Sequence, residues 1–299
     1  MIINRQNLRD LFVGFNAAFT QGFRDAPQDW PKIATPVPST TREEHYAWLG
    51  QFPRLREWVG ERVVNAMASH DYRVVNQKFE ATVEVARDDI EDDHYGVYKP
   101  LFQEMGYAAA THPNDIVFPL LAAGFTGICY DGQPFFDADH PVGLPGGSGG
   151  VVSVSNVQPG SGAPWFLLDV SRALKPIIFQ KRREYDMRGV FDLNDEKVFM
   201  TDKFLYGVDA RVAAGYGFWQ QAFGSKDVLS AANYAAARQA MMAFKSDEGR
   251  PLGIKPTLLV CGPSNEGAAL EILKAERNAS GATNIYRGTA ELLVTPWLD

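Results

Sequence analysis

Positive charge is in short supply in this sequence, and so are cysteine and histidine. There are 29 lysines and arginines against 36 aspartates and glutamates, a formal charge of −7. No broad basic face is therefore expected that would displace counterions from nucleic-acid phosphates. The local basic run Lys181 to Arg183 reads as a solvated surface. Two cysteines, Cys129 and Cys261, lie far apart in the apolar runs ICY and LLVCG, which makes them buried, reduced thiols and not a disulfide framework. The 5 histidines form no H-E-x-x-H or comparable set. No P-loop is present, and the glycines of GYGFWQQAFG fail G-x-G-x-x-G, because an aromatic run stands where the third glycine belongs. No hydrophobic run approaches the length of a membrane span, the N-terminus MIINRQNLRD lacks the apolar core of a signal peptide, and no internal repeat is visible.

What the 299 residues do contain, 45% hydrophobic and 22% charged, suits a folded protein with material for one large domain or two smaller ones. Residues 4 to 22 carry a helical stripe of Leu8, Leu11, Phe12, Phe15 and Phe19, with Gly22 placed to end it. The next segment, Asp25 to Thr40, holds four prolines and no periodicity, so it is an extended connector. An apolar helix on a proline-stiffened tether reads as an arm that leaves its own core and is covered by another subunit. Thr41-x-x-Glu44 matches a capping box and predicts a short helix over EEHYAWLGQF. From Arg54 to Arg87, β-branched stretches flank the turn residues Ser69-His70-Asp71, predicting a long hairpin. Its return strand alternates Phe79, Ala81, Val83 and Val85 with Glu80, Thr82 and Glu84. A two-stranded ribbon is marginal in water, so neighbouring subunits are expected to hold it.

The hairpin returns into Arg87 to His112, whose acidic start (Asp88, Asp89, Glu91, Asp92, Asp93) suits a helix N-terminus. Ile90, Val97, Leu101, Met105 and Ala108 predict its buried face, and Pro100 predicts a kink or break. Beyond His112-Pro113, Asn114 would cap and Gly124 would end a short second helix. Asp131-Gly132 predicts a tight turn, and VVSVS a short strand between glycine-rich loops. Strands are then expected in WFLLDV, KPIIFQKR, EKVFM and FLYGVDARVA, followed by a helix opened by Ser230, the buried strand TLLVCGP, the helix SNEGAALEILKAER and the strand ELLVTPWL. This order is α+β, not the alternation of a doubly wound nucleotide fold.

Candidates for chemistry are few. Gly146-Gly147-Ser148-Gly149-Gly150 matches G-x-S-x-G, and Ser148 with His140 defines a serine-hydrolase alternative. Neither the preceding strand nor the following helix that lifts such a serine out is in place. Asp137, Asp139 and His140 are ligand types, but D-x-D-H alone fixes no coordination geometry. No catalytic, cofactor or metal site is expected. The candidates for inter-subunit contact are Leu8, Phe12, Phe15, Phe19, Trp30, Trp58 and Phe79.

Six long segments resemble one family: STTREEHYAWLGQFPRLREWVGERV, DDIEDDHYGVYKPLFQEMG, CYDGQPFFDADHPV, FLLDVSRALKPIIFQKRREY, YGVDARVAAGYGFWQQA, and GRPLGIKPTLLV through GTAELLVTPWL. They resemble the major head subunit of Mu-like phages and prophages over almost the whole chain. The resemblance implies the Hong Kong 97-type capsid fold. Residues 1–40 would be an N-terminal arm, 41–57 a connector with a short helix, 58–87 an extended loop, 88–223 a peripheral domain with a spine helix, and 224–299 an axial domain. It implies a non-enzymatic virion protein, assembled in the bacterial host cytoplasm into hexamers and pentamers of an icosahedral shell around double-stranded DNA. The implied partners are further copies, a scaffold protein, a portal protein and a decoration protein, with no membrane. An encapsulin-like compartment of the same fold, filled with protein cargo, is the alternative. Two departures stand out: no scaffold-sized leader precedes Met1, and the strands from Trp165 to Ala222 are expected to replace peripheral strands that many relatives place after ELLVTPWL. Lys78 and Asn76 lie on the hairpin, but no carboxylate is identified to join them, so no cross-link is expected.

Overall fold

The computed structural model describes residues 2–46, 49, 72–143, 150–278 and 280–299. Helix α1 (Arg5–Asp25) begins where the Asn4 side chain accepts the Asn7 N–H, satisfying one otherwise unpaired donor. Strand β1 (Ala34–Pro38) follows a 3-10 turn, and β2 (Glu43–His45) forms where the helix predicted after Thr41 would begin; most of the rest of that stretch, and the outgoing strand of the predicted hairpin, lie outside the described residues. Strand β3 (Arg73–Val75) pairs with β2, and β4 (Gln77–Ala86) leads into the short α2 (Arg87–Glu91).

The break expected at Pro100 comes earlier. Asp93 adopts a left-handed φ of 59°, a 3-10 turn covers His94–Val97, and α3 (Tyr98–Ala122) then runs on as the spine. Pro100 sits in the first turn of α3, where a proline has no ladder partner to lose. Nor does the helix stop at His112. Pro113 and Pro119 lie inside it, each removing one ladder bond, and Asn114 caps nothing; its Oδ1 accepts the Trp30 N–H at 2.9 Å.

A small ribbon joins β5 (His140–Val142) to β6 (Val152–Val154), and β7 (Val157–Gln158), β8 (Trp165–Leu168) and β9 (Ile177–Val190) follow. EKVFM, expected as a strand, is instead α4 (Glu196–Thr201), capped by Asp195, which accepts the Lys197 N–H at 2.9 Å. The chain is completed by β10 (Lys203–Tyr216), β11 (Ala222–Ser225), α5 (Ala231–Met242), β12 (Leu258–Cys261), α6 (Glu266–Leu273) and β13 (Glu291–Val294).

Two sheets organise these elements. The first has the order β1-β9-β10-β4, with β4 antiparallel to β10 from Ala86 opposite Lys203 to Gln77 opposite Val212. The return strand of the expected ribbon is thus held by its own subunit. The second sheet has the order β13-β12-β8-β11-β7. Its inner strands β12, β8 and β11 are buried along their whole length, which is why they read as unbroken apolar runs. It joins Trp165–Leu168 and Ala222–Ser225 to the C-terminal strands, so a cut between residues 223 and 224 runs through it.

A separate apolar cluster lies between α1, α3 and the first sheet, and holds Leu8, Phe15, Phe19, Val85, Ile90, Phe102, Met105 and Tyr206. The stripe of α1 is therefore covered by the chain's own spine, not by a neighbour. The two helices cross closely. A Cβ on Gly106 would overlap the Phe19 carbonyl, and one on Gly22 would overlap the Gln103 carbonyl. Gly106→Ala is accordingly expected to destabilise the subunit by about 1–3 kcal/mol, because backbone must move to admit it. Gly14→Ala, with nothing within 4 Å of the new methyl, should stabilise α1 by about 0.5–1 kcal/mol. Urea midpoints of the two variants against the parent check both signs.

Candidate functional site

Of the residues expected at subunit contacts, Leu8, Phe15, Phe19 and Trp30 are buried within the chain. Phe15 stacks on Phe102 at 4.2 Å between ring centroids, and Trp30 lies 4.6 Å from Phe179. Phe12 is half-buried against Phe191 and Tyr206, and Phe79 meets His112 at 4.3 Å. Trp58 lies outside the described residues. On the alternating face of β4, Val85 is buried, Phe79 and Val83 are half-buried and Ala81 is exposed.

Around Tyr46 and Tyr72 a polar knot ties β2 and β3 to the first sheet. The Glu44 carboxylate accepts the N–H groups of Thr40 (2.8 Å) and Thr41 (3.1 Å) and the hydroxyls of Ser39 (2.8 Å) and Thr41 (3.1 Å). Asn76 is buried and donates to Ser39 Oγ and to the carbonyls of Thr41 and Arg42. Tyr46 donates its backbone N–H to the Tyr72 carbonyl and its hydroxyl to Gln180, whose amide donates to the Val74 carbonyl. The Thr40 N–H and then the Ser39 hydroxyl hold the Glu44 carboxyl down at about 2, against a small opposing effect of burial. A depressed carboxyl stabilises the fold fully above its unfolded value and loses that contribution as the pH falls towards its folded value. The stability gap between the parent and Glu44→Gln should therefore close between pH 4.5 and about 2, as pH-dependent thermal melts would show.

Among the described residues Asp137 and Asp139 are not gathered round His140 as a ligand set, in keeping with no metal being expected from D-x-D-H alone. His140 instead meets Asp131 and Cys129. His140 Nδ1 lies 2.7 Å from Asp131 Oδ2 and Nε2 lies 3.2 Å from Asn156 Oδ1, while the buried ring stacks on Trp219 at 4.0 Å and 7°. Cys129 Sγ–H donates to Asp131 Oδ1 at 3.0 Å. Asn156 accepts the Asp137 N–H and donates to the carbonyls of Phe135, Trp219 and Ala222. Burial alone would raise the Asp131 carboxyl, but hydrogen bonds from His140 and Cys129 outweigh it and hold the group below its ordinary value. Burial pushes the Cys129 thiol up, the reverse of what a nucleophile needs. Hydrogen bonds within the trio account for all three side chains, so it is a pin between loops. Ser148 lies outside the described residues, and the His140 ring is already engaged on both nitrogens.

Sequence reasoning missed the apolar side chains that do face solvent. Phe199 on α4 is 80% exposed and Met200 is 73% exposed. The cap Asp195 followed by Glu196 was the available signal for a helix start. A helix this short cannot bury successive Val198, Phe199 and Met200 on one face.

A model of the family described as Mu-like prophage major head subunit gpT matches residues 8–298. The chain is similar to the major capsid protein of Escherichia phage Mu, with 44% identity over 306 residues covering 100% of each. Its fold is similar to a chain in the procapsid of bacteriophage JBD30, with a TM-score of 0.88, 45% identity, and coverage of 99% of this chain and 100% of that one. A chain of the JBD30 capsid decorated with minor capsid protein trimers is similar at a TM-score of 0.76 and 35% identity, with 92% of each covered.

Proposed function

This chain belongs to the Mu-like prophage major head subunit family and is a major capsid subunit of the Hong Kong 97-type fold, a structural component of the virion, and we propose that its copies close as pentamers and hexamers around double-stranded DNA. The observation that carries this is similarity over the full chain to a protein whose copies form a procapsid. In this reading the five-stranded sheet with α5 and α6 forms the axial domain, and the four-stranded sheet with α1 and α3 the peripheral domain. The DNA is held by confinement. The net charge is negative, and three basic residues of β9 face acids of β9 and β10: Lys181 meets Glu184 at 2.7 Å, Arg188 meets Asp186 at 3.5 Å, and Arg183 pairs with Asp209. A scaffold protein would set the curvature of the precursor, a portal would admit the DNA, and a decoration protein would bind outside; the decorated JBD30 capsid supports the last.

Nuclease treatment of purified particles, followed by extraction, tests the contents. Protected double-stranded DNA is expected. An enzyme cargo in its place would favour the encapsulin-like alternative, and tight, steeply salt-dependent DNA binding by free subunits would contradict confinement.

A further inference from the structure

The pin formed by Cys129, Asp131 and His140 has the make-up of a metal site. Its three donor atoms, one thiol sulfur, one carboxylate oxygen and one ring nitrogen, lie within 4.8 Å of one another. The site is enclosed, with Cys129 3% exposed, His140 0% and the Asp131 side chain 7%. Donors around a tetrahedral ion stand about 3.3–3.6 Å apart at bond lengths of about 2.0–2.3 Å, so side-chain shifts on the order of 1 Å seat one here. A single tight turn supplies Cys129 and Asp131, closed by Gly132 at a φ of 85°, and His140 opens β5 opposite them.

Asn156 sets this trio apart from a chance cluster. Its amide nitrogen donates to the carbonyls of Phe135, Trp219 and Ala222, which fixes Oδ1 towards His140 Nε2 at 3.2 Å. An oxygen there only accepts, so Nε2 carries the hydrogen between them. The other nitrogen, Nδ1, is thereby turned towards Asp131 and Cys129. A carbonyl oxygen on the far N–H is the support by which metal-binding histidines hold their tautomer. Trp219, stacked on the ring at 4.0 Å, fixes its plane, and the Gln133 N–H orients the Asp131 carboxylate at 3.1 Å.

We infer that this site takes a divalent ion of the zinc class, bound by Cys129 Sγ, Asp131 and His140 Nδ1, and that the hydrogen-bonded pin is its metal-free form. Two hydrogens pass to solvent as the ion enters: the thiol hydrogen, and the one held between Nδ1 and Asp131 Oδ2. Charge balances in both forms. Without the ion, the thiol is neutral and the His140–Asp131 pair with its hydrogen sums to zero. With it, thiolate and carboxylate cancel the charge of the cation, so no uncompensated charge is buried. Burial opposes a free thiolate at Cys129, but a coordinated thiol is deprotonated by the ion itself. The fourth position falls to a water or to Asp131 Oδ1, which loses the thiol hydrogen on binding. Mixed sulfur, nitrogen and oxygen donors select zinc over magnesium and calcium, which take oxygen ligands.

Full-length protein purified from cells grown with added zinc, then desalted, is assayed by elemental mass spectrometry. The expected content is about one zinc per chain, falling about 10-fold or more in Cys129→Ser, whose hydroxyl can still donate to Asp131. Cobalt(II) in place of zinc gives a readout that a purely structural cysteine would not move. Thiolate-to-cobalt charge-transfer absorption should appear in the parent and in Cys261→Ala and be absent from Cys129→Ser. A parent without zinc overturns the inference, as does equal zinc in parent and Cys129→Ser, which would mark an adventitious ion only. If Cys129→Ser does not fold, the cobalt spectrum of Cys261→Ala decides: charge-transfer absorption supports the site and its absence overturns it.

Discussion

Replacing His140 with alanine is expected to lower the stability of the free subunit by about 3–5 kcal/mol, because it strips the partner from a buried carboxylate. The Asp131 side chain is only 7% exposed, and its remaining donors are the Cys129 thiol and the Gln133 N–H. The loss also opens the face of Trp219 and leaves the Asn156 carbonyl oxygen with the Asp137 N–H alone. The pH dependence has a definite sign. The folded Asp131 carboxyl is depressed from 3.8, so its contribution is complete above that value and fades as the pH falls below it. Parent and His140→Ala should therefore differ most at pH 7 and converge in acid. Urea titrations followed by tryptophan fluorescence at pH 7 and pH 3 measure both, and coincident midpoints at pH 7 would contradict the pin.

On the spine, two adjacent positions should respond in opposite ways. Phe102→Ala removes a fully buried ring packed against Phe15 and 5.6 Å from Tyr206, and about 3–5 kcal/mol should be lost. Leu101→Asp, at a side chain 44% exposed, should change stability by less than about 1 kcal/mol, as surface substitutions do. A reading of the spine as one helix from Arg87 puts Leu101 on the buried face and predicts the reverse. The two midpoints decide between these phases.

That reversal shows where the sequence is informative and where it is not. The apolar series from Ile90 through Leu101 assumes one continuous helix, but the left-handed Asp93 resets the phase, so Phe102, Met105 and Ala109 face inwards while Val97 and Leu101 do not. Pro113 reads as a stop, yet it costs one ladder bond, and the packing of α3 on the first sheet and α1 outweighs that. Strands such as Phe79 to Val85 and TLLVC were legible because burial on one face or both writes itself into two-residue or continuous patterns. Their partners were not legible. Pairing of Trp165–Leu168 with Leu258–Cys261 spans some ninety positions, and no local pattern records it. The cover of α1 was likewise hidden in distance along the chain, although Gly22 and Gly106 are its trace. The Cys129–Asp131–His140 pin was missed because attention to D-x-D-H selected neighbours in sequence, whereas the tight turn at Gly132 brings Asp131 round to the ring. The family was legible, since it is written in long specific segments, and the full-length match agrees with it.

The central claim is that copies of this chain tile into a closed shell. Sedimentation velocity of the purified protein over a concentration series tests it most directly. The account predicts a fast, narrow boundary of particles that grows with concentration at the expense of small capsomers and subunits. A single slow boundary of the 33.1 kDa chain at every concentration, with a scaffold protein supplied, would contradict it.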